Sequence, residues 1–383
     1  MLTPRTTLTR RILSALDATP SRIPVLLGGC GSGRTTLLHH LRDRMGRSTS
    51  QYIDVERTAT TPERFYKALS TASPFASTTG PLGARAAFDT MLHFLTSTRA
   101  AGNESVTFLL DEFLELRTFE SFPGLRRVLH DFADGLVESG NRFVLSSRYT
   151  ARALRLLRDR SARFEVIHVP ALTVDDTLEI LDLAGAAAGS DAEYTARAVH
   201  ALADGRPSYV SALSDELRHM RDSGAPGGAD VVSALAAQMG VGGRIAQECN
   251  FCYELRLHRA RGYGALKAIL EILADEEGLT LTEISQRLQR TPGSTKDYLS
   301  WLEDVDLVTS RQKRYSYADA LLRVWVRLHC RPTPPGDEEL AREVHRYALP
   351  RLPQPSEPAL VMATAGAAPG DDERKAWGII EID

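Results

Sequence analysis

The sequence is poor in cysteine, has no long apolar run and carries almost no net charge. Its four cysteines, Cys30, Cys249, Cys252 and Cys330, are too few and too scattered for a disulfide framework, which points to a reducing, cytoplasmic setting. No apolar stretch approaches the ~18 residues that a membrane-spanning helix needs, so no membrane partner is expected. The basic N-terminus, MLTPRTTLTRRILSALDATP, lacks a long apolar core and a small-residue cleavage site, and reads as a helix instead of a signal peptide. A net charge of -3 supplies no global field to recruit nucleic acid, so any such contact must come from a local patch. The sequence has no internal repeat, and a second ligand pair to accompany Cys249-x-x-Cys252 is missing. With His258 as a lone further candidate, the pair is expected to be two buried helical cysteines and not a zinc site.

What is present is a globular composition, with 43% hydrophobic and 25% charged residues over 383 positions, enough for two or three domains. Apolar positions at helical spacing (Leu8, Ile12, Leu13, Leu16) predict a first helix. Short apolar segments then recur at 24–28, 52–55, 106–111, 142–147 and 164–169, separated by helical stretches, among them 35–45, a long region over 63–100 with a loop of small polar residues near 72–82, and 123–138. Strands alternating with helices predict an α/β fold, a parallel sheet with helices on both faces. After Pro170 the segments read as helices broken at Gly185, Gly205, Pro207 and 224–228. From 262 three helices (265–274, 282–288, 294–303) precede two short strands around the polar tip 310–314, the winged-helix pattern. The expected domains are 1–170, a nucleotide-binding domain; 171–261, a helical lid; 262–330, a winged helix; and 331–383, a helix, a low-complexity linker and a terminal apolar motif.

Gly28-Gly29-Cys30-Gly31-Ser32-Gly33-Arg34-Thr35 fits the phosphate-loop spacing G-x-x-x-x-G-K-[ST], with a strand before and a helix after. The glycines let backbone N–H groups turn inward around phosphates, and the helix N-terminus adds positive potential. Gly28 to Thr36 are thus candidate ATP-binding residues, with Thr35 a candidate Mg²⁺ ligand through its hydroxyl. Arg34 stands where the motif has lysine. It keeps the charge but brings a planar fork in place of a point charge, which makes nucleotide binding a firmer expectation than hydrolysis.

Leu109-Leu110-Asp111-Glu112 is an apolar strand ending in two carboxylates, placing Asp111 as a second Mg²⁺ ligand and Glu112 as the base that activates water. Ser146-Ser147-Arg148 closes the fourth strand. There the hydroxyls of Ser146 and Ser147 are candidates for the γ-phosphate or lytic water, with Ser147 the binding residue chosen, and Arg148 is a candidate for sensing that phosphate in its own or a neighbouring subunit. In the lid, Arg206 is expected to face the phosphates and Pro207 to pack on the adenine.

These residues together resemble the signal-transduction ATPases related to AAA+ proteins, the STAND class, and within it the archaeal-type ATPase branch. Arg261-Gly262-Tyr263-Gly264, Tyr298 to Glu303, and Tyr315 to Trp325 extend the resemblance over about residues 5 to 330. It implies ATP and Mg²⁺ binding, a conformational switch and oligomerisation, without fixing a substrate. Arg34 departs from the family's usual lysine, and Ala320 from its common proline.

Three readings stay open. The first is an ATP-dependent switch with slow hydrolysis. The second is a nucleotide-regulated DNA-binding protein, for which Arg311, Lys313 and Arg314 make a wing patch while acids elsewhere nearly cancel the charge of the unit. The third is a non-hydrolysing scaffold whose tail, Trp377 to Asp383, docks on a protein partner.

Overall fold

The computed structural model describes residues 5–75, 83–186, 191–224, 230–258 and 262–354. The tail motif Trp377–Asp383 and Arg261 lie outside the described residues.

Five parallel strands, β1 (Ile23–Leu27), β2 (Ser50–Asp54), β3 (Thr107–Asp111), β4 (Arg142–Ser147) and β5 (Phe164–His168), form one sheet in the order β2-β3-β4-β1-β5. Every residue of β1 and β3 is buried, because helices cover both faces. Side chains alternate between those faces. Leu26, Leu109, Val144 and Ile167 meet Leu8, Ile12 and Leu16 of the first helix and Leu37, Leu38 and Leu41 of the helix after the glycine-rich loop. Val25, Leu27, Phe108, Leu110, Phe143 and Leu145 join the larger core on the opposite face. Each such side chain contributes roughly 1.5–3 kcal/mol on burial, so the continuous apolar runs follow from two-sided packing.

Register aligns the carboxyl ends of these strands. Leu27 pairs with Ser147, and Asp54 with Asp111. The loops leaving β1, β3 and β4 therefore open at one edge, where α/β sheets hold ligands.

The long helical region expected over 63–100, with a loop near 72–82, is two helices, Pro62–Thr71 and Ala84–Ser97; 76–82 of that loop lie outside the described residues. The helix expected from 123 begins only at Val128, after a 3₁₀ stretch, Phe113–Ser121. Pro123 and Gly124, the latter at φ +80°, set the turn between them.

Beyond β5 come five helices, Val174–Leu183, Ala192–Ala203, Pro207–Asp222, Val231–Met239 and Arg244–Leu257. The first is started by a reciprocal cap between Thr173 and Asp176. Helices Tyr263–Asp275, Leu281–Leu288 and Pro292–Asp304 then pack with an antiparallel sheet of order β6-β8-β7, made of β6 (Leu279–Thr280), β7 (Val308–Arg311) and β8 (Arg314–Tyr317). The two-residue β6 is too short to show a period in the sequence. Gln312 and Lys313 both take positive φ at the wing tip, as a two-residue hairpin demands. The Asp337–Ala348 helix lies against the Val231–Met239 helix, and Tyr347 donates a 2.8 Å hydrogen bond to the Leu202 carbonyl.

Candidate nucleotide site

The glycine-rich loop leaves β1 at Leu27 and enters a helix at Arg34, with Gly31 and Gly33 at φ +72° and +82°. A β-carbon on Gly31 would collide with the side chains of Ser208 and Glu248, so the close approach of the lid requires glycine there.

Thr35 and Asp111 come together as expected. The Thr35 hydroxyl donates to Asp111 Oδ2 at 2.6 Å, and the Tyr52 hydroxyl donates to the same oxygen at 3.0 Å. The Ser146 hydroxyl donates to Asp111 Oδ1. Burial, and then Asp111 itself, pushes the Tyr52 phenol well up, which keeps it a donor. A carboxylate ringed by hydroxyls, with Thr35 exposed beside the loop, is a hard-oxygen set of the kind Mg²⁺ takes.

Glu112 is held differently from the expectation of a free base. Its backbone is left-handed, φ 55° and ψ 46°, a conformation costing ~1–2 kcal/mol in a non-glycine residue. Its Oε1 pairs with Arg34 Nη2 at 2.9 Å and Arg148 Nε at 3.1 Å, while Oε2 accepts the Arg148 backbone N–H at 3.0 Å. Arg148 also pairs with Glu56. Arg34 and Arg148, both buried, each keep an Nη1 with no hydrogen-bond partner among the described residues. Buried guanidinium donors without acceptors, beside a phosphate-type loop, are groups an anion would satisfy.

Of the two serines ending β4, Ser146 reaches the Asp111 carboxylate. Ser147 instead accepts the Tyr149 backbone N–H at 3.0 Å and is fully buried. Alternation along the strand turns the two to opposite faces, and of the pair Ser146 is the one that meets the Asp111 carboxylate.

The lid closes directly on the loop. The Ser208 N–H donates to the Gly31 carbonyl at 3.2 Å, and Arg206 Nη1 donates to the Cys30 carbonyl at 3.3 Å. Arg206 turns toward the winged helix as well. It pairs with Asp319 at 2.8 Å and donates through Nη2 to the Ala318 carbonyl at 3.2 Å. Asp319 in turn caps the Ala320–His329 helix by accepting the Leu321 and Leu322 N–H groups, and accepts the Tyr209 hydroxyl at 2.8 Å. Pro207, the first residue of its helix, stands against Gly33. A cavity of about 290 Å³ separates Gly33, Thr35 and Thr36 from Pro207, Ser211 and Arg244.

Sequence reasoning missed Glu56, Tyr52, Ser208, Glu248 and Arg244 in this neighbourhood, since none belongs to a spaced motif. Glu248 accepts the Ser208 hydroxyl at 2.9 Å, and burial pushes its carboxyl up to about 6. A further contact lies behind Arg148. Asp306, between the third winged-helix helix and β7, accepts the Thr150 N–H at 2.5 Å at the start of the Thr150–Leu157 helix, and burial pushes it up to about 6.

Cys249 and Cys252 are buried on one helix. At the wing, Arg311, Lys313 and Arg314 are exposed, and Arg314 also donates to the Gly278 carbonyl at 2.6 Å. No helix among the described residues is long and apolar enough to cross a membrane.

A central parallel strand leading through a glycine-rich loop into a helix, with a hydroxyl–carboxylate pair at the neighbouring strand ends, defines a P-loop ATPase fold, here followed by a winged helix. A family model described as winged helix-turn-helix DNA-binding matches residues 265–309. Among solved structures, the chain is similar to the Walker-type ATPase Paby2304 of Pyrococcus abyssi, at 17% identity and a TM-score of 0.61, over 85% of this chain and 96% of that one. It is also matched to the Aeropyrum pernix Orc1 protein in complex with DNA, at 16% identity and a TM-score of 0.46, over 90% and 93%. A third match is the STAND protein with a tetratricopeptide repeat sensor from Pyrococcus horikoshii, at 12% identity and a TM-score of 0.37, over 91% of this chain and 44% of that one. No curated protein matches the sequence. The fold is the one implied by the resemblance to the archaeal-type ATPase branch.

Proposed function

We propose that the chain is an ATP-binding molecular switch with slow Mg²⁺-dependent hydrolysis, in which the state of the phosphate loop is passed to the winged helix. The observation that carries this reading is the position of Arg206, whose one guanidinium touches both the Cys30 carbonyl of the loop and Asp319 at the cap of a helix following the wing. A change in the loop that breaks the first contact frees or strains the second.

In this reading the loop amides of Gly28 to Thr36 and the unpartnered edge of Arg34 hold the phosphates. Thr35 and Asp111 hold Mg²⁺, which supplies charge neutralisation at the phosphates. Glu112 orients and deprotonates water, but only after leaving two guanidinium partners, which accounts for slow turnover. Arg148, freed from Glu112 and Glu56, senses the terminal phosphate. A ligand moves such an equilibrium only by its differential affinity for the two arrangements. The test is small-angle scattering and light scattering with ADP and with a non-hydrolysable ATP analogue at several protein concentrations. Different profiles are expected, and a concentration-dependent difference would add a homo-oligomer. Identical profiles would leave a nucleotide-stabilised scaffold that recruits a protein partner through Trp377–Asp383.

A second reading, nucleotide-regulated DNA binding, is favoured by one feature. Arg311, Lys313 and Lys296 are exposed, while Trp301 and Asp304, at the other end of the Pro292–Asp304 helix, line a cleft against the Thr150–Leu157 helix. Affinity for duplex DNA that falls steeply with salt, and falls further on Lys313→Ala, would select this reading.

A further inference from the structure

Cys30 is the third residue of the phosphate loop, and Cys252 sits on the Arg244–Leu257 helix of the lid. Glu248 and Arg256, one turn before and one turn after Cys252 on that helix, lie against Gly31 and Cys30 Sγ, so Cys252 between them is turned toward Cys30 although the two segments are far apart in the chain. Arg256, one helical turn beyond Cys252, donates through Nη2 to Cys30 Sγ at 3.4 Å and through Nη1 to the Asp306 carbonyl at 2.9 Å. Arg256 is only 5% exposed, and among the described residues no carboxylate forms an ion pair with it. The guanidinium lies against Cys30 Sγ and favours its ionised form. Cys249, on the same helix, faces the Tyr209 hydroxyl instead.

We propose that Cys30 and Cys252 form a reversible disulfide that ties the phosphate loop to the lid, making the nucleotide site sensitive to peroxide. The two thiols have distinct parts. Cys30 is partly exposed, and its contact with Cys252, followed by the guanidinium of Arg256, holds it well below the ordinary thiol range. Cys252 is buried, and the same contact together with burial holds it well above that range. Cys30 thiolate therefore attacks hydrogen peroxide first, breaking the O–O bond to give a sulfenic acid and hydroxide. The sulfur of Cys252 then attacks the Cys30 sulfur. The S–O bond breaks, and hydroxide leaves as water with the proton of the Cys252 thiol, while the hydroxide of the first step takes up the proton that Cys30 released on ionising. In sum, two thiols and one peroxide give one disulfide and two waters, and a dithiol reductant reverses the bond by exchange. The bond would hold the loop against a helix whose Glu248 already lies beside Gly31, and so hinder the loop from wrapping phosphates. That consequence rests on the reading of the loop as a nucleotide site; the bond itself does not.

The experiment takes the full chain, reduced and then freed of reductant without oxygen, and adds one equivalent of hydrogen peroxide. Peptide mass spectrometry without reduction should find Cys30 linked to Cys252, with two of the four free thiols lost. Mg-ATP affinity by calorimetry should fall about tenfold or more and return with dithiothreitol. Cys249→Ser should still form the link. Cys252→Ser should instead leave Cys30 as a sulfenic acid that dimedone captures. Absence of the linked peptide in the parent chain, or a link through Cys249, would overturn the proposal. A formed link with unchanged Mg-ATP affinity would overturn its control of the site. A formed link in a chain that binds no Mg-ATP when reduced would support the bond and overturn the nucleotide reading.

Discussion

Arg34 and Glu112 form an ion pair of 2.9 Å in which each side chain is only 7% exposed. The residue in the lysine position of the phosphate loop and the residue in the position of the catalytic base therefore neutralise each other. Arginine suits this role, since its fork can hold a carboxylate with one edge and leave the other edge free. Glu112→Gln would leave Arg34 and Arg148 buried with their shared counter-ion gone. The expected result is a nucleotide-free chain less stable by about 3 kcal/mol, read by chemical denaturation. The same variant should retain ATP and hydrolyse it ~10²-fold more slowly or worse, read by phosphate release. Equal turnover in variant and parent would remove Glu112 from the chemistry.

Arg34→Lys tests the departure directly. Lysine is a point charge that can leave Glu112 more readily, so hydrolysis should be unchanged or faster while ATP is still bound. Collapse of ATP binding, measured by calorimetry, would mean that the pocket is shaped around a guanidinium.

The 2.6 Å contact between Thr35 and Asp111 bears on the metal. Millimolar Mg-ATP should raise the melting temperature, because a ligand at ~100 times its Kd adds about 2.7 kcal/mol. Thr35→Ala should remove the Mg²⁺-dependent part of that gain and leave the Mg²⁺-free part. No shift in a nucleotide-free preparation would argue against the site as a whole.

Arg206 and Asp319 join the loop to the helix after the wing at 2.8 Å. Arg206→Ala should abolish the difference in scattering between ADP and the ATP analogue without abolishing nucleotide binding, and Arg148→Ala should do the same from the other side of the loop. Asp319→Ala should cost about 1 kcal/mol through the lost helix cap alone. A nucleotide-dependent profile that survives Arg206→Ala would place the coupling elsewhere.

Glu248 gives the pH dependence its sign. Its carboxyl is pushed up to about 6 by burial, so the folded chain binds this proton more tightly than the unfolded chain does. Its contribution to stability is full below the ordinary carboxylate range and is lost as pH rises through about 6. Arg206, Asp319 and Cys30 are the charged or titratable groups that act on it, and Ser208 is its hydrogen-bond partner. Glu248→Gln should flatten the fall in melting temperature across that window. Because Glu248 lies beside Gly31, the variant should also tighten Mg-ATP binding above the window more than below it. An unchanged slope of melting temperature with pH would assign the titration to another group, with Asp306 the next candidate.

Much of this molecule was legible in the sequence, for local reasons. Continuous apolar runs bounded by glycine and proline can be stable only as strands covered on both faces, and the five-stranded sheet follows. The phosphate loop is written in consecutive residues whose backbone freedom sets its shape. Thr35 and Asp111 could be paired from sequence because each stands at the end of a strand or the start of a helix whose place in the sheet is fixed. Boundaries failed where the signal was short, as with the two residues of β6, or where an irregular stretch precedes a helix, as with Phe113–Ser121 ahead of Val128–Glu138. What tertiary structure alone decided is which charges meet. Glu56, Glu112, Arg34 and Arg148 come from four separate segments, and their pairing depends on how helices and strand ends are stacked, which no period encodes. That Ser146 and not Ser147 meets the Asp111 carboxylate follows from the face each presents. The contacts of Arg206 with Asp319 and of Cys30 with Cys252 arise only when the lid lies on the loop. Side chains distant in sequence meet through packing of whole elements, and it is those meetings that set the chemistry of the site.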